Sequence, residues 1–272
     1  MSAFSWNDAF AMAAVVAAVG SLLHAIELVV IRRELAAGGF LNWTVLRNAH
    51  PALLRSTLAP WADGMFTPPG FFGLVWLQIV ASLAIIVSPS GPPVWALGSV
   101  LATRILCNVR NAPAMIGADQ MHVVVLAACF LQALVPIPDV AVVCGWFVCL
   151  QLLLAYVTSG VAKAVSPLWR GGIALRQITR SRAVGLKVAF EWASRFPALA
   201  ITVCWATIVF EIAFPWLIVG GPSSATVFLA AGLLFHVGIA VVMGLEAFFW
   251  PYVAAYPLAY RCSMMMDALW RS

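Results

Sequence analysis

Charge is what this chain has least of. Only 25 of its 272 residues are Asp, Glu, Lys or Arg, which is 9%, where a soluble domain carries roughly 25%. A shortage this deep excludes a solvated nucleic-acid module, whose basic surface must be continuous, and a disordered chain, which needs charge to stay expanded. Metal-spaced cysteine pairs are missing as well. The six cysteines (Cys107, Cys129, Cys144, Cys149, Cys204 and Cys262) sit mostly inside apolar runs and form no CxxC. They read as small core residues, not as a disulfide framework or a zinc site. No basic stretch precedes the first apolar run and no small-residue cleavage site is evident, which predicts no removable signal peptide. A GxSxG elbow, a P-loop, a GxGxxG turn and a Ser/His/Asp series in suitable context are lacking, so soluble-enzyme chemistry is not indicated. Neither a long internal repeat nor the paired broken helices of a transporter is evident.

What the chain has in excess is apolar surface. Hydrophobic residues make up 64% of it and its mean hydropathy is +1.00. A globule of this size cannot hide so much behind a polar skin, so bilayer must replace water. A helix needs about 20 mainly apolar residues to cross the hydrocarbon. Seven stretches qualify, at about residues 9–31, 70–88, 94–109, 120–136, 140–162, 197–219 and 225–250. The third and fourth are short and interrupted by polar residues, so six is the lower count. The predicted fold is all-α: a polytopic transmembrane helical bundle of about seven spans, one integral membrane domain over residues 1–272, with an interfacial amphipathic helix.

The remaining charge is sorted by loop. The connectors at 88–93, 136–139 and 220–224 have Pro and Gly turn chemistry and contain no Lys or Arg. The other connectors and the C-terminus hold 14 of the 15 basic residues, and an alternating seven-span path puts all 14 on one side. By the positive-inside bias that side is cytoplasmic, with the N-terminus outside and the C-terminus inside; a bacterial inner membrane is expected. In the segment from Leu168 to Arg180, apolar residues and Arg recur at helical spacing, which predicts a helix in the headgroup plane against anionic membrane lipid. The loop from 34 to 69, with Trp43, Trp61 and Phe66, is expected along the same interface.

An ionisable side chain inside a span requires a partner, a wet cavity or a short escape to the interface. On the spans above, His24, Glu27, Arg104, Asp119, Lys163 and Glu246 fall in the cytoplasmic half, while Glu211 and His236 lie deeper. His24 and Glu27 are three positions apart, as are Asp119 and His122, so each pair projects from one helix face. Such pairs can contribute to a metal site when further helices supply carboxylates. The simpler reading has Glu27 neutralise Arg104 while the two histidines hydrogen-bond adjacent helices, and no metal is expected. Lys163 either snorkels or, if desolvated, serves as a base; Thr158-Ser159-Gly160 before it offers a small surface for close approach of a helix or ligand. Glu211 and His236 cannot readily snorkel, and a buried imidazole beside a carboxylate is a natural proton acceptor.

These residues carry a family resemblance. The run Tyr156-Val157-Thr158-Ser159-Gly160-Val161-Ala162-Lys163, followed by Trp169-Arg170-Gly171, resembles the helix-end motif of the HTTM membrane proteins, the group related to vitamin K-dependent gamma-carboxylase. Arg110-Asn111 with Gly117-Ala118-Asp119-Gln120-Met121 is similar to the polar start of that family's following span. Glu211-Ile212-Ala213-Phe214-Pro215 is similar to its Glu-containing span, and Phe235-His236 with Met243-Gly244-Leu245 and Phe249 to its final His-containing span. In the carboxylase, a lysine after the Gly-containing motif deprotonates vitamin K hydroquinone, and Lys163 matches that position. The resemblance therefore implies an intramembrane pocket for a quinone, hydroquinone or other lipidic molecule. Lys163 and His236 would handle protons, and Glu211, Glu27 and Arg104 would set local charge, with His24 and Asp119 also in the pocket. The charge bias places Lys163 on the cytoplasmic side, whereas the carboxylase modifies proteins in the lumen. The rival expectation is a non-catalytic transmembrane subunit that anchors or helps mature a membrane protein partner.

Overall fold

The computed structural model describes residues 4–36, 38–88, 91–111, 116–181 and 185–272, and every regular element among them is helical. Backbone polar groups inside lipid have no water to bond, so an apolar chain satisfies them within helices. Two compact units result, one of residues 11–140 and one of residues 1–10 with 141–272. They are called the N-terminal and C-terminal units below.

The N-terminal unit takes most of α1 (Trp6–Val30) and the short helices α2 (Arg32–Leu35), α3 (Trp43–Leu46), α4 (Pro51–Leu54) and α5 (Ala59–Phe66). It continues through α6 (Pro68–Val87), α7 (Val94–Arg110) and α8 (Gly117–Leu134). Ala25, Leu28, Leu35, Phe71, Val75 and Cys107 form one core cluster. The segment from 34 to 69 does not simply line an interface. Trp43 and Phe66 are buried with Ala62 in a second small core, their rings 4.8 Å apart, and of the three expected anchors only Trp61 is exposed. The physical reason is Asp63, which accepts the Trp43 indole N–H at 2.7 Å and so removes the ring's need for a polar surface. Arg110 fastens this segment to α7: its Nη2 donates to the Leu41 carbonyl at 2.6 Å, and its guanidinium lies 4.2 Å from the Phe71 ring centroid.

The C-terminal unit is built from α9 (Pro138–Val165), α10 (Pro167–Arg170), α11 (Ile173–Arg180), α12 (Lys187–Arg195), α13 (Pro197–Ala213), α14 (Trp216–Val219), α15 (Gly221–Met243) and α16 (Phe249–Arg271). Along α9 the buried positions are Ala141, Cys144, Gly145, Val148, Cys149, Leu152, Tyr156 and Gly160, a single stripe at three- and four-residue spacing. The amphipathic segment expected as one helix is two, α10 and α11. Gly172 adopts φ +71° between them, where a Cβ would stand 2.8 Å from the Ile201 backbone nitrogen, so the chain turns instead of continuing.

Five helices, α1, α6, α8, α9 and α15, are long and apolar enough to cross a membrane, and α12 with α13, bent by 110°, makes a sixth if the pair is one span. The expected seven exceeds this. Helix α7 has 17 residues and carries both Arg104 and Arg110, and the stretch at 197–219 breaks after Ala213 ahead of Pro215. The last stretch stops at Met243 because Gly244 takes φ +62°, a left-handed helix end. Helix α16 is the element the sequence reading missed. No element was expected after residue 250, yet Ala254, Ala255, Leu258, Ala259 and Cys262 are fully buried in it. With the span count changed, strict seven-span alternation no longer assigns sides to the loops. All six cysteines are buried and none forms a disulfide. Pro89 and Ser90 of the 88–93 connector, and Arg182, lie outside the described residues.

Candidate functional site

Helix α9 organises the site. Tyr156, Ser159, Gly160 and Lys163 repeat at three- and four-residue intervals, so they share one face. Gly160 permits the approach of α13: a Cβ there would meet Ile212 Cγ1 at 2.8 Å and Glu211 Cβ at 3.0 Å. That closeness delivers Glu211 to Lys163, whose Nζ donates to Oε1 at 2.8 Å and Oε2 at 2.7 Å. Nζ also donates to the Ser159 hydroxyl, which in turn donates to Glu211 Oε1 at 3.3 Å. All three ammonium donors are thereby placed. The Glu211 side chain is 4% accessible and that of Lys163 16%, so the lysine is the reachable member of the pair. The Trp169 ring lies 5.1 Å from Nζ.

A second polar group begins one helical turn and more away, at Tyr156. Its hydroxyl lies 2.8 Å from His236 Nε2 and 2.9 Å from the Tyr256 hydroxyl, while its ring stacks on Phe214 at 3.6 Å. Tyr252 stacks on His236 at 4.7 Å. His236 Nδ1 is buried without a hydrogen-bond partner among the described residues. Either hydroxyl can donate in the Tyr156–Tyr256 contact, and the His236 tautomer sets the direction at Nε2. Each direction leaves one donor of the chain unpaired, the Nδ1–H in one and the Tyr256 O–H in the other.

Both groups border one cavity of about 490 Å³, within the several-hundred range of small-molecule sites. Helices α11 and α12 form its roof through Ile178 and Trp192, and Val203, Phe235, Ile239 and Phe248 make its walls apolar. The Lys163–Glu211 pair can pass a proton between Nζ and carboxylate without creating net charge. The tyrosine–histidine chain can relay a proton along three hydrogen-bonded groups.

Of the residues singled out from sequence, Lys163, Glu211 and His236 come together here. Glu27, His24, Arg104 and Asp119 do not line this cavity; they belong to the N-terminal unit. There Arg104 pairs with Asp119 at 3.2 Å, and Glu27, the expected neutralising partner, also acts on its charge. Asp119 sits in the first turn of α8 and also accepts the Ile116 N–H at 3.1 Å, so helix capping has already fixed the carboxylate close to α7. His122 lies 2.9 Å from the Ser21 hydroxyl and 3.0 Å from the Ala17 carbonyl. Gln78 donates to the Ser21 carbonyl at 2.6 Å and lies 3.4 Å from His24 Nδ1. Polar groups thus cross-link α1, α6 and α8. No three His, Cys, Asp or Glu side chains are placed to share a metal ion among the described residues.

No family model, curated protein or solved structure matches the chain.

The tyrosines are what the sequence reading missed. The chain has only 4, and all fall between residues 156 and 260. That confinement was a readable signal, but two of the three beside His236 stand on α16, which the hydropathy pattern concealed.

Proposed function

We propose that this chain is a multi-pass membrane protein of the HTTM kind that holds a quinone-like or other lipidic molecule in the cavity of its C-terminal unit, with Lys163 as base. The observation that carries the reading is the Lys163–Ser159–Glu211 cluster on the wall of a mainly apolar, aromatic cavity. Apolar walls suit a ring or isoprenoid body, and the polar cluster suits its oxygen. Lys163 transfers a proton to Glu211, becomes a neutral amine, and can then accept a proton from an acidic hydroxyl beside it. Glu211 holds the lysine in place, and Tyr156 positions His236. The order of the Tyr156–Lys163, Glu211 and His236 motifs adds support through the family resemblance. We further propose that the basic segment from 163 to 195 faces the cytoplasmic side of a bacterial inner membrane, by the positive-inside bias.

Purification in mild detergent, followed by solvent extraction and mass spectrometry, tests the reading. Wild-type protein should retain a quinone or related lipid that folded Lys163→Met binds at least tenfold more weakly; equal retention by both would remove Lys163 from the site. A second reading, a non-catalytic subunit that anchors or helps mature a protein partner, is favoured by the N-terminal unit, whose polar groups bond helix to helix. A stoichiometric protein partner in the same preparation, with no retained lipid, would establish that reading instead.

A further inference from the structure

The cavity roof has an outer surface that the cavity chemistry leaves unexplained. On α11, Ala174, Leu175, Ile178 and Thr179 face inward, buried or lining the cavity, while Arg176 and Arg180, four residues apart, share the opposite face. On α12, Ala189 and Ala193 face inward, and Lys187, Glu191 and Arg195 follow one another at four-residue steps on the exposed side. With Arg170 just before them, the described part of this strap carries five basic residues against one acidic residue, Glu191, and Glu191 is itself near Lys187 at 3.8 Å. Large apolar side chains are exposed among these charges: Val188 is 66% exposed, Trp192 52% and Phe196 44%. A basic face interleaved with exposed Trp, Phe and Val suits neither water nor hydrocarbon alone; it suits the boundary between them. The strap is also tied down. The Leu186 N–H donates to the Val242 carbonyl of α15 at 3.1 Å, and Gly172 abuts α13 at Ile201.

We propose that the α11–α12 strap is a docking surface for anionic phospholipid headgroups, so that the roof of the cavity is seated by the membrane surface itself. Arg176, Arg180 and Arg195 contact the headgroup phosphates, and Trp192 reaches from the cavity wall into the acyl boundary. A ligand entering or leaving the cavity then passes at headgroup depth, between the strap and the spans. The inference rests on the membrane placement and not on the identity of the cavity ligand.

The test uses the full chain in neutral detergent, titrated with phosphatidylglycerol or phosphatidylcholine of matched acyl chains and read by native mass spectrometry. Wild type should retain phosphatidylglycerol about tenfold better or more, as several basic residues at an anionic surface require. The variant R176Q/R180Q/R195Q should fall to about twofold or less, while R32Q/R33Q/R55Q, with the same change in net charge, should keep the wild-type preference. Thermal unfolding confirms that both variants are folded; if the strap variant is not, single R180Q in the same titration should lose a measurable part of the preference. Equal binding of the two lipids by wild type, equal loss in both triple variants, or displacement of the lipid by millimolar inorganic phosphate alone would each overturn the proposal. Lipid preference is independent of retained quinone, so failure here leaves the cavity reading standing, and failure there leaves this one.

Discussion

The two units bury the same kinds of side chain and use them differently. In the N-terminal unit Arg104, Asp119, His122, Gln78 and Ser21 meet helix to helix, and none of them lines the cavity. In the C-terminal unit Lys163, Glu211, Tyr156 and His236 also join helices, but the same residues border about 490 Å³ of space. Ionisable groups in an apolar bundle are therefore not by themselves a functional signal. What separates a lock from a site is whether an apolar space large enough for a molecule lies beside the polar atoms. Gly160 is part of the cause, because it lets α13 approach α9 at the height where Lys163 needs its counter-ion.

That contrast can be broken by mutation. The largest effect is expected for Lys163→Leu or Glu211→Leu, each of which strands a buried charge at a cost of about 3–5 kcal/mol. The double substitution should recover much of that loss in detergent unfolding, while ligand retention stays lost. Singles no worse than the double would show that the pair is not a buried partnership. Arg104→Leu sharpens the comparison: stability should fall by a few kcal/mol at most, since Asp119 is left partly exposed, and the lipid retained by the cavity should be unchanged. Loss of that lipid would contradict the division of labour drawn here.

Gly160→Val comes next. Forcing α13 away should cost about 1–3 kcal/mol and weaken ligand retention more than stability, because the ion pair and the cavity both depend on that distance. A variant that unfolds earlier but binds as before would show that the close approach serves packing alone. Tyr156→Phe removes the hydroxyl that joins His236 to Tyr256 and leaves both unpaired, at about 1–3 kcal/mol. It should also change the pH dependence of ligand binding, which a purely structural hydroxyl would not do. Smallest is His122→Leu in the N-terminal unit, expected near 1 kcal/mol with no effect on bound lipid, because an apolar side chain of similar size replaces a hydrogen-bonding one.

Much of the fold was legible because bilayer physics is written in composition. Runs at 9–31, 70–88, 120–136 and 140–162 became α1, α6, α8 and α9 with ends moved by a few residues, since nothing but helix satisfies an apolar backbone in lipid. Helix α16 was hidden for the complementary reason. Its seven hydroxylated or charged residues, Tyr252, Tyr256, Tyr260, Arg261, Ser263, Asp267 and Arg271, dilute the apolar signal, and Pro257 lies inside it, yet Ala254, Ala255, Ala259 and Cys262 are buried. Trp43 was misread as an interface anchor because its acceptor Asp63 and its neighbours Ala62 and Phe66 come from a separate short helix.

The candidate site divides along the same line. The amino-acid sequence by itself determined that this is a helical membrane chain, that its few ionisable groups are costly where they stand, and that Lys163, Glu211 and His236 are among them. Those conclusions need only the transfer cost of each residue and its position in an apolar run. Which charge meets which, that Asp119 forms the ion pair with Arg104, and that three tyrosines gather at His236 was decided by tertiary structure alone. Partner choice depends on distances between helices far apart in the chain, and those distances are set by packing, down to the missing Cβ of one glycine.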